Sequence, residues 1–229
     1  MIKALIFDLD GTLVDSETLH YRAWENALLQ NGVPSFSFEE FLRFIGTSNE
    51  KVATEYIKSH NITKNIVDLV LEKQSIYMEL LPEIQLCPGV KEMLNRFHGK
   101  MKMAVASSSH KKEIMAILGM NDLLKYFSYV IGGDMVREKK PDPEIYLRTQ
   151  SFLQLHPGEC VAFEDSAHGL NAAKNAGMYG VAIPNMFTQN NNFDRADCVV
   201  ASFNEVDVVF LSTLLSGSCK EKQENGKLF

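Results

Sequence analysis

The sequence lacks paired cysteines. Its four, Cys87, Cys160, Cys198 and Cys219, are scattered without a CxxC spacing. That pattern excludes a disulfide framework and argues against a zinc site, so they read as reduced thiols of a cytoplasmic protein. A long apolar run is missing as well. No stretch approaches the ~18 apolar residues of a membrane span. The opening MIKALIFDLDG meets two carboxylates too early for a secretory signal and has no small-residue cleavage site. Positive charge is also short: 23 Lys and Arg face 29 Asp and Glu, for a net charge of -6 and a pI near 5.6. The general attraction to nucleic acid or anionic lipid is therefore absent, and any anion site must be built locally. There is no internal repeat, no low-complexity segment and no strong apolar patch signal, so a monomer is expected.

What is present is the composition of a soluble globular protein, 45% hydrophobic and 23% charged. The 229 residues suit one large domain or one carrying an insert. Ala4-Leu5-Ile6-Phe7 is a continuous apolar run, the mark of a strand buried on both faces. Similar runs lie at Met103 to Ala106, around Val130-Ile131, at Val161 to Phe163 and at Gly180 to Ile183. Helical faces fall between them. One is Val90, Met93, Leu94 and Phe97; a second, Ile114, Met115, Ile117 and Leu118, is closed by Gly119; a third, Leu170, Ala173 and Ala176, is closed by Gly177. Such alternation predicts a doubly wound parallel α/β sheet.

From Val14 to Leu86 the alternation stops and only helix-like segments remain, jointed at Gly32-Val33-Pro34 and Leu81-Pro82. Ser48 or Asn49 is a plausible N-cap for the segment carrying Val52, Ala53, Tyr56 and Ile57. The expected division is an α/β core of residues 1–14 and 87–229 with an all-helical insert at 15–86. Residues 216–229 read as a loose polar tail.

Chemistry concentrates at the strand ends. Asp8-Leu9-Asp10-Gly11-Thr12 follows the first strand, and in a parallel sheet ligands bind at the carboxyl ends of strands. Alone, the motif leaves open a strand closing on an Asp-Gly turn with both acids solvated, the lesser of the two readings. Glu164-Asp165-Ser166 after another buried strand adds two acids, although Asp165 or Ser166 also suits a helix cap. Four carboxylates without a His/Cys cluster make an oxygen-rich pocket, better fitted to Mg2+ than to zinc. Ser107-Ser108-Ser109 after a third strand offers hydroxyls and N–H groups to a phosphate. In Lys139-Lys140-Pro141-Asp142-Pro143 either lysine could turn inward to balance the acids.

These blocks, in this order and spread over nearly the whole chain, resemble the haloacid dehalogenase superfamily of phosphotransferases. The resemblance implies a Rossmann-like core with a helical cap. It assigns Asp8 as nucleophile and Asp10 as general acid/base. It also implies Ser107 and Lys140 as phosphate-binding residues, with Lys140 chosen for its place beside Pro141. Glu164 and Asp165 become the acidic metal motif; Asp8 and the backbone carbonyl of Asp10 complete the Mg2+ ligands. An acid at position 10 argues against the dehalogenase branch, because halide leaves unprotonated.

Within the superfamily the chain is similar to the β-phosphoglucomutase and sugar-phosphate phosphatase subgroup. His20-Tyr21-Arg22-Ala23-Trp24 looks like the opening of the first cap helix, and Phe44-Ile45-Gly46 with Thr47-Ser48 like the specificity loop. His20, Gly46 and Asn49 are accordingly candidate substrate contacts, beside Ser107, Ser108 and Lys140. Position 49 departs from the mutase pattern, being Asn where an arginine is expected, and the cap lysine has no match at Met78. His110 also replaces a phosphate-binding lysine, although Ser109 keeps the serine of that motif. A mutase must hold a bisphosphate at both ends, so missing cations favour a phosphatase of small phosphomonoesters, with sugar phosphates the class the resemblance implies. A β-phosphoglucomutase is the alternative, and an idle binding protein of the same fold the remaining one.

Overall fold

The computed structural model describes residues 1–45, 47–217 and 219. The chain divides into two compact units, residues 1–14 with 86–229 and residues 15–85.

The first unit is built on a six-stranded sheet. Its strands are β1 (Ala4–Phe7), β4 (Lys102–Ala106), β5 (Tyr129–Ile131), β6 (Cys160–Glu164), β7 (Tyr179–Ala182) and β8 (Cys198–Val199), ordered β5-β4-β1-β6-β7-β8. All the recorded pairings are parallel. β1 is central because all four of its side chains are apolar and buried, as a strand covered on both faces requires. Its register decides where the chemistry lies. Phe7 pairs with Val105 on one side and Phe163 on the other. Continuing each strand brings Asp8, Ser107 and Glu164-Asp165 to one edge of the sheet. The Asp8 N–H donates to the Phe163 carbonyl at 3.0 Å, so the register extends through the first acid. Stacking of the Phe7 and Phe163 rings, with centroids 5.2 Å apart, fixes the same alignment from below.

Helices α5 (Val90–Phe97), α6 (Lys111–Met120), α7 (Glu144–Leu153), α8 (Ala167–Asn175) and α9 (Val208–Leu215) accompany the sheet. α5 buries Val90, Met93, Leu94 and Phe97, the face its spacing predicts. α6 departs from expectation. It runs one residue past Gly119 to Met120, the Asn121 amide caps the Ile117 carbonyl at 2.9 Å, and Asp122 takes the left-handed turn. Met115 is exposed rather than part of the buried face. α8 is N-capped by Ser166, not Asp165: the Ser166 side chain accepts from the Gly169 N–H.

The second unit comprises α1 (Glu17–Gln30), α2 (Phe38–Leu42), α3 (Asn49–His60) and α4 (Ile66–Leu80). Trp24, Leu28, Phe36, Phe41, Tyr56 and Leu69 are among the residues of its own core. Ser48, rather than Asn49, caps α3. The sequence reading gave this stretch no strand. Two residues at each joint, Val14–Asp15 (β2) and Gln85–Leu86 (β3), nevertheless pair as a two-stranded sheet. The proposed tail lies outside the described residues beyond Cys219.

Candidate active site

Lys140 organises the strand-end acids. Its Nζ donates to Asp8 Oδ1 at 2.6 Å, to Glu164 Oε1 at 2.6 Å and to the Ala106 carbonyl at 2.9 Å. All three side chains are almost wholly buried. Lys139 is exposed, so the inward lysine is the one next to Pro141. A buried ammonium is tolerable only with such pairing. Burial alone would lower its pKa, and the two carboxylates overcome that and hold it above the usual lysine range.

The charge is not balanced. Four carboxylates share this edge with one ammonium. Burial, with Glu164 and Asp10 adding repulsion, pushes the Asp8 carboxyl up to about 8, against the pull of Lys140. A carboxylate of Asp8, one of Glu164 and one of Asp165 each place an oxygen within 4.8 Å of the others, and all three residues are buried. An all-oxygen donor set with excess negative charge fits a hard divalent cation. The residues present therefore suit Mg2+.

Asp10 is held differently. Its Oδ2 accepts from Ser109 Oγ at 2.6 Å and from Ser107 Oγ at 3.2 Å, and Ser107 Oγ accepts the Ser109 N–H at 3.0 Å. Its Oδ1 is buried with no hydrogen-bond partner among the described residues. A buried oxygen left so is costly unless it serves a ligand or a proton. Ser108, the other serine put forward from the sequence, is exposed.

Sequence reasoning missed two residues of this site. Tyr146, buried on α7, donates its hydroxyl to Glu164 Oε1, and its ring lies 5.3 Å from the Lys140 Nζ. Burial and the neighbouring acids keep its hydroxyl well above the ordinary tyrosine range, so it remains a donor. Asn185, three residues beyond β7, donates Nδ2 to Asp165 Oδ2 at 2.9 Å and to the Gly11 carbonyl at 3.2 Å. Two glycines make room for the acids. A Cβ on Gly11, which has φ of 73°, would collide with Asp165, and one on Gly169 would collide with Glu164.

The remaining candidates fall in the helical unit. His20 Nδ1 lies 2.7 Å from the Nζ of Lys73, and the His20 ring stacks on Tyr77 with centroids 4.1 Å apart. Asn49 Oδ1 accepts from Trp24 Nε1 at 3.3 Å. Gly46 lies outside the described residues. The sequence reading did not single out Lys73, which is fully buried on α4, in line with Leu69 and Tyr77. Its position on an apolar stripe at four-residue spacing was the available signal.

A carboxylate on a central strand end, a second carboxylate beside hydroxyls, and a buried lysine between acids are groups suited to the phosphoric monoester chemistry, hydrolase or phosphotransferase, of the family to which the chain is matched. The chain belongs to the haloacid dehalogenase-like hydrolase family, whose model matches residues 5–183. It is 36% identical to a phosphorylated carbohydrates phosphatase of Thermotoga maritima, over 79% of this chain and 85% of that one. A mutant of CbbY from Rhodobacter sphaeroides, solved with xylulose-(1,5)bisphosphate, superposes with a TM-score of 0.77 at 30% identity, covering 90% of this chain and 96% of its own. A putative β-phosphoglucomutase from Thermotoga maritima gives a TM-score of 0.80 at 28% identity, covering 92% and 99%. Among the described residues no helix is long and apolar enough to cross a membrane.

Proposed function

We propose that the chain is a Mg2+-dependent phosphatase of small phosphorylated carbohydrates, working through a phosphoryl group carried on Asp8. The observation that carries this is the Lys140 ammonium, 2.6 Å from both Asp8 and Glu164. A carboxylate approaching an anionic ester meets repulsion, and a buried cation fixed at the nucleophile offsets it without reorganisation. When bound by Asp8, Glu164, Asp165 and the Asp10 carbonyl, Mg2+ supplies further positive charge for the same purpose.

In this reading an Asp8 oxygen attacks phosphorus in line while the ester P–O bond breaks. Asp10 delivers its proton to the departing alkoxide. Ser107 and Lys140 hold equatorial phosphate oxygens. Asp10, now a carboxylate, takes a proton from water as that water attacks phosphorus, and the bond to Asp8 breaks to release inorganic phosphate. The two serines on Asp10 Oδ2 favour this role by fixing one carboxylate oxygen and leaving the other for the proton. His20, Gly46 and Asn49 remain the proposed substrate-selecting residues of a helical cap spanning residues 15–86.

Hydrolysis is preferred to isomerisation. Asn49 bonds to Trp24 and offers no cation, and the relative named for phosphorylated carbohydrates is a phosphatase. The test is an assay with Mg2+ on a panel of sugar phosphates, including β-glucose 1-phosphate primed with glucose 1,6-bisphosphate. Free phosphate and glucose 6-phosphate are followed together. Phosphate release that stops in Asp8→Asn and on chelation supports the proposal. Glucose 6-phosphate without free phosphate would replace it with a mutase, and turnover indifferent to chelator would remove the metal.

A further inference from the structure

Asn185 sits at the centre of a small, fully specified hydrogen-bond network. Its Oδ1 accepts the backbone N–H groups of Phe187 at 2.8 Å and Thr188 at 3.2 Å. Its own N–H donates to Thr188 Oγ1 at 3.1 Å, and the Thr188 N–H returns to the Asn185 carbonyl at 3.1 Å. With two donors on Oδ1, the amide cannot be flipped, and Nδ2 must point the other way. There it meets Asp165 Oδ2 and the Gly11 carbonyl. Three loops, after β1, β6 and β7, are thus tied together through one side chain. A Cβ on Gly11 would run into both Asp165 and Asn185, so the close approach also depends on glycine there.

We propose that Asn185 is a positioning residue for the metal site: its amide pins Asp165 in the orientation that binds the divalent cation. The inference rests on the metal-assisted reading above. The physical reason is that a carboxylate free to rotate must be ordered when the cation binds, whereas one held through Oδ2 is ordered in advance. Neighbours that orient a metal-binding carboxylate typically change metal affinity by roughly 10–100-fold when removed. The amide is a neutral donor, so it orients Asp165 without consuming the negative charge that attracts the cation. A lysine in its place would compete with the metal for that charge.

The alternative for Asn185 is a turn-forming role alone, since it also organises residues 185–188. Three variants separate the two. Asn185→Ala removes the contact to Asp165 and the turn contacts together. Asn185→Ser keeps a side-chain oxygen that can accept the turn N–H groups but is too short to reach Asp165. Thr188→Ala loosens the turn and leaves the amide on Asp165. Mg2+ binding is measured by calorimetry on the substrate-free protein, alongside the Mg2+ dependence of turnover, with circular dichroism to check folding. The expected result is Mg2+ affinity roughly 10-fold or more weaker in Asn185→Ala and Asn185→Ser, with Thr188→Ala within about twofold of the parent. Turnover at saturating Mg2+ should fall much less than the affinity does. Unchanged affinity in folded Asn185→Ser, or an equal loss in Thr188→Ala, would overturn the inference while leaving the metal reading intact. Failure of the parent protein to bind Mg2+ would overturn both.

Discussion

Among the described residues, Lys140 in one unit and Lys73 in the other have buried side chains, and they are accommodated in different ways. Lys140 lies among acids, with Asp8 and Glu164 at 2.6 Å and a backbone carbonyl at 2.9 Å. Lys73 lies among rings: His20 Nδ1 at 2.7 Å, and the Tyr77 and Trp24 rings 5.0 and 5.9 Å from its Nζ. In the first setting the lysine answers an excess of negative charge and holds Asp8, the proposed nucleophile. In the second it shapes a neighbour's protonation, because burial and then its own charge keep His20 well below the ordinary histidine range. The same residue type is thus paired with buried carboxylates in one unit and set in an aromatic, cation–π environment in the other.

Replacing each lysine by methionine sharpens the contrast. Lys140→Met should give the largest effect. It leaves two buried carboxylates facing each other and removes the cation from the proposed reaction centre. Turnover should fall on the order of 10²–10³-fold or more, and the metal-free protein should lose about 3–5 kcal/mol in denaturant melts. Retained turnover would refute the role given to Lys140. Lys73→Met should cost about 1–3 kcal/mol, the range for a buried acceptor that loses its donor, here His20 Nδ1. It should also raise the His20 pKa, read from the imidazole NMR shift against pH, because one of the two influences depressing it is gone. A pKa that stays put would show that burial alone sets it.

The same contrast marks what was legible in the sequence. Asp8, Asp10, Ser107, Lys140, Glu164 and Asp165 could be found because each follows a recognisable strand or stands in a short run with its own spacing. The sheet's alternation then implied that those ends converge. Tyr146 and Lys73 stand within helices, where no strand end marks them, and Asn185, although just past a recognisable strand, stands in no short run of like chemistry. Asn185 reaches back 174 residues to Gly11. Gly119 was misread as a helix end because a side-chain cap from Asn121 and a left-handed Asp122 perform the service usually signalled by glycine. β8 was passed over because two residues, Cys198 and Val199, are too few to show a period.

A smaller effect is expected at Tyr146. Tyr146→Phe keeps the ring beside Lys140 and deletes only the hydroxyl on Glu164. A single hydrogen bond to a charged group is worth about 1.5–3 kcal/mol. Part of that should be recovered, since Lys140 still holds the same oxygen. A fall in kcat of about tenfold or less, with KM little changed, is therefore expected. A loss as large as that of Lys140→Met would mean the hydroxyl takes part in the chemistry directly.

The smallest effect lies in the helical unit and is read through pH. His20 has a folded pKa below its unfolded value, so on acidification the folded state takes up fewer protons than the unfolded state. The stability this contributes is fully present above the unfolded pKa near 6.5 and is lost as pH falls towards the folded value. The slope from one group is at most about 1.4 kcal/mol per pH unit. Between pH 7 and 5 His20 should therefore add a decline of stability with acidity, against the opposite trend from Asp8 with its carboxyl at about 8. In melts compared with the parent, His20→Gln should remove that decline, by up to this slope. In Lys73→Met the decline should be shallower too, since the imidazolium no longer forms beside an ammonium 2.7 Å away. Equal slopes in the parent, His20→Gln and Lys73→Met would mean that His20 and Lys73 are not coupled in the way their contact implies.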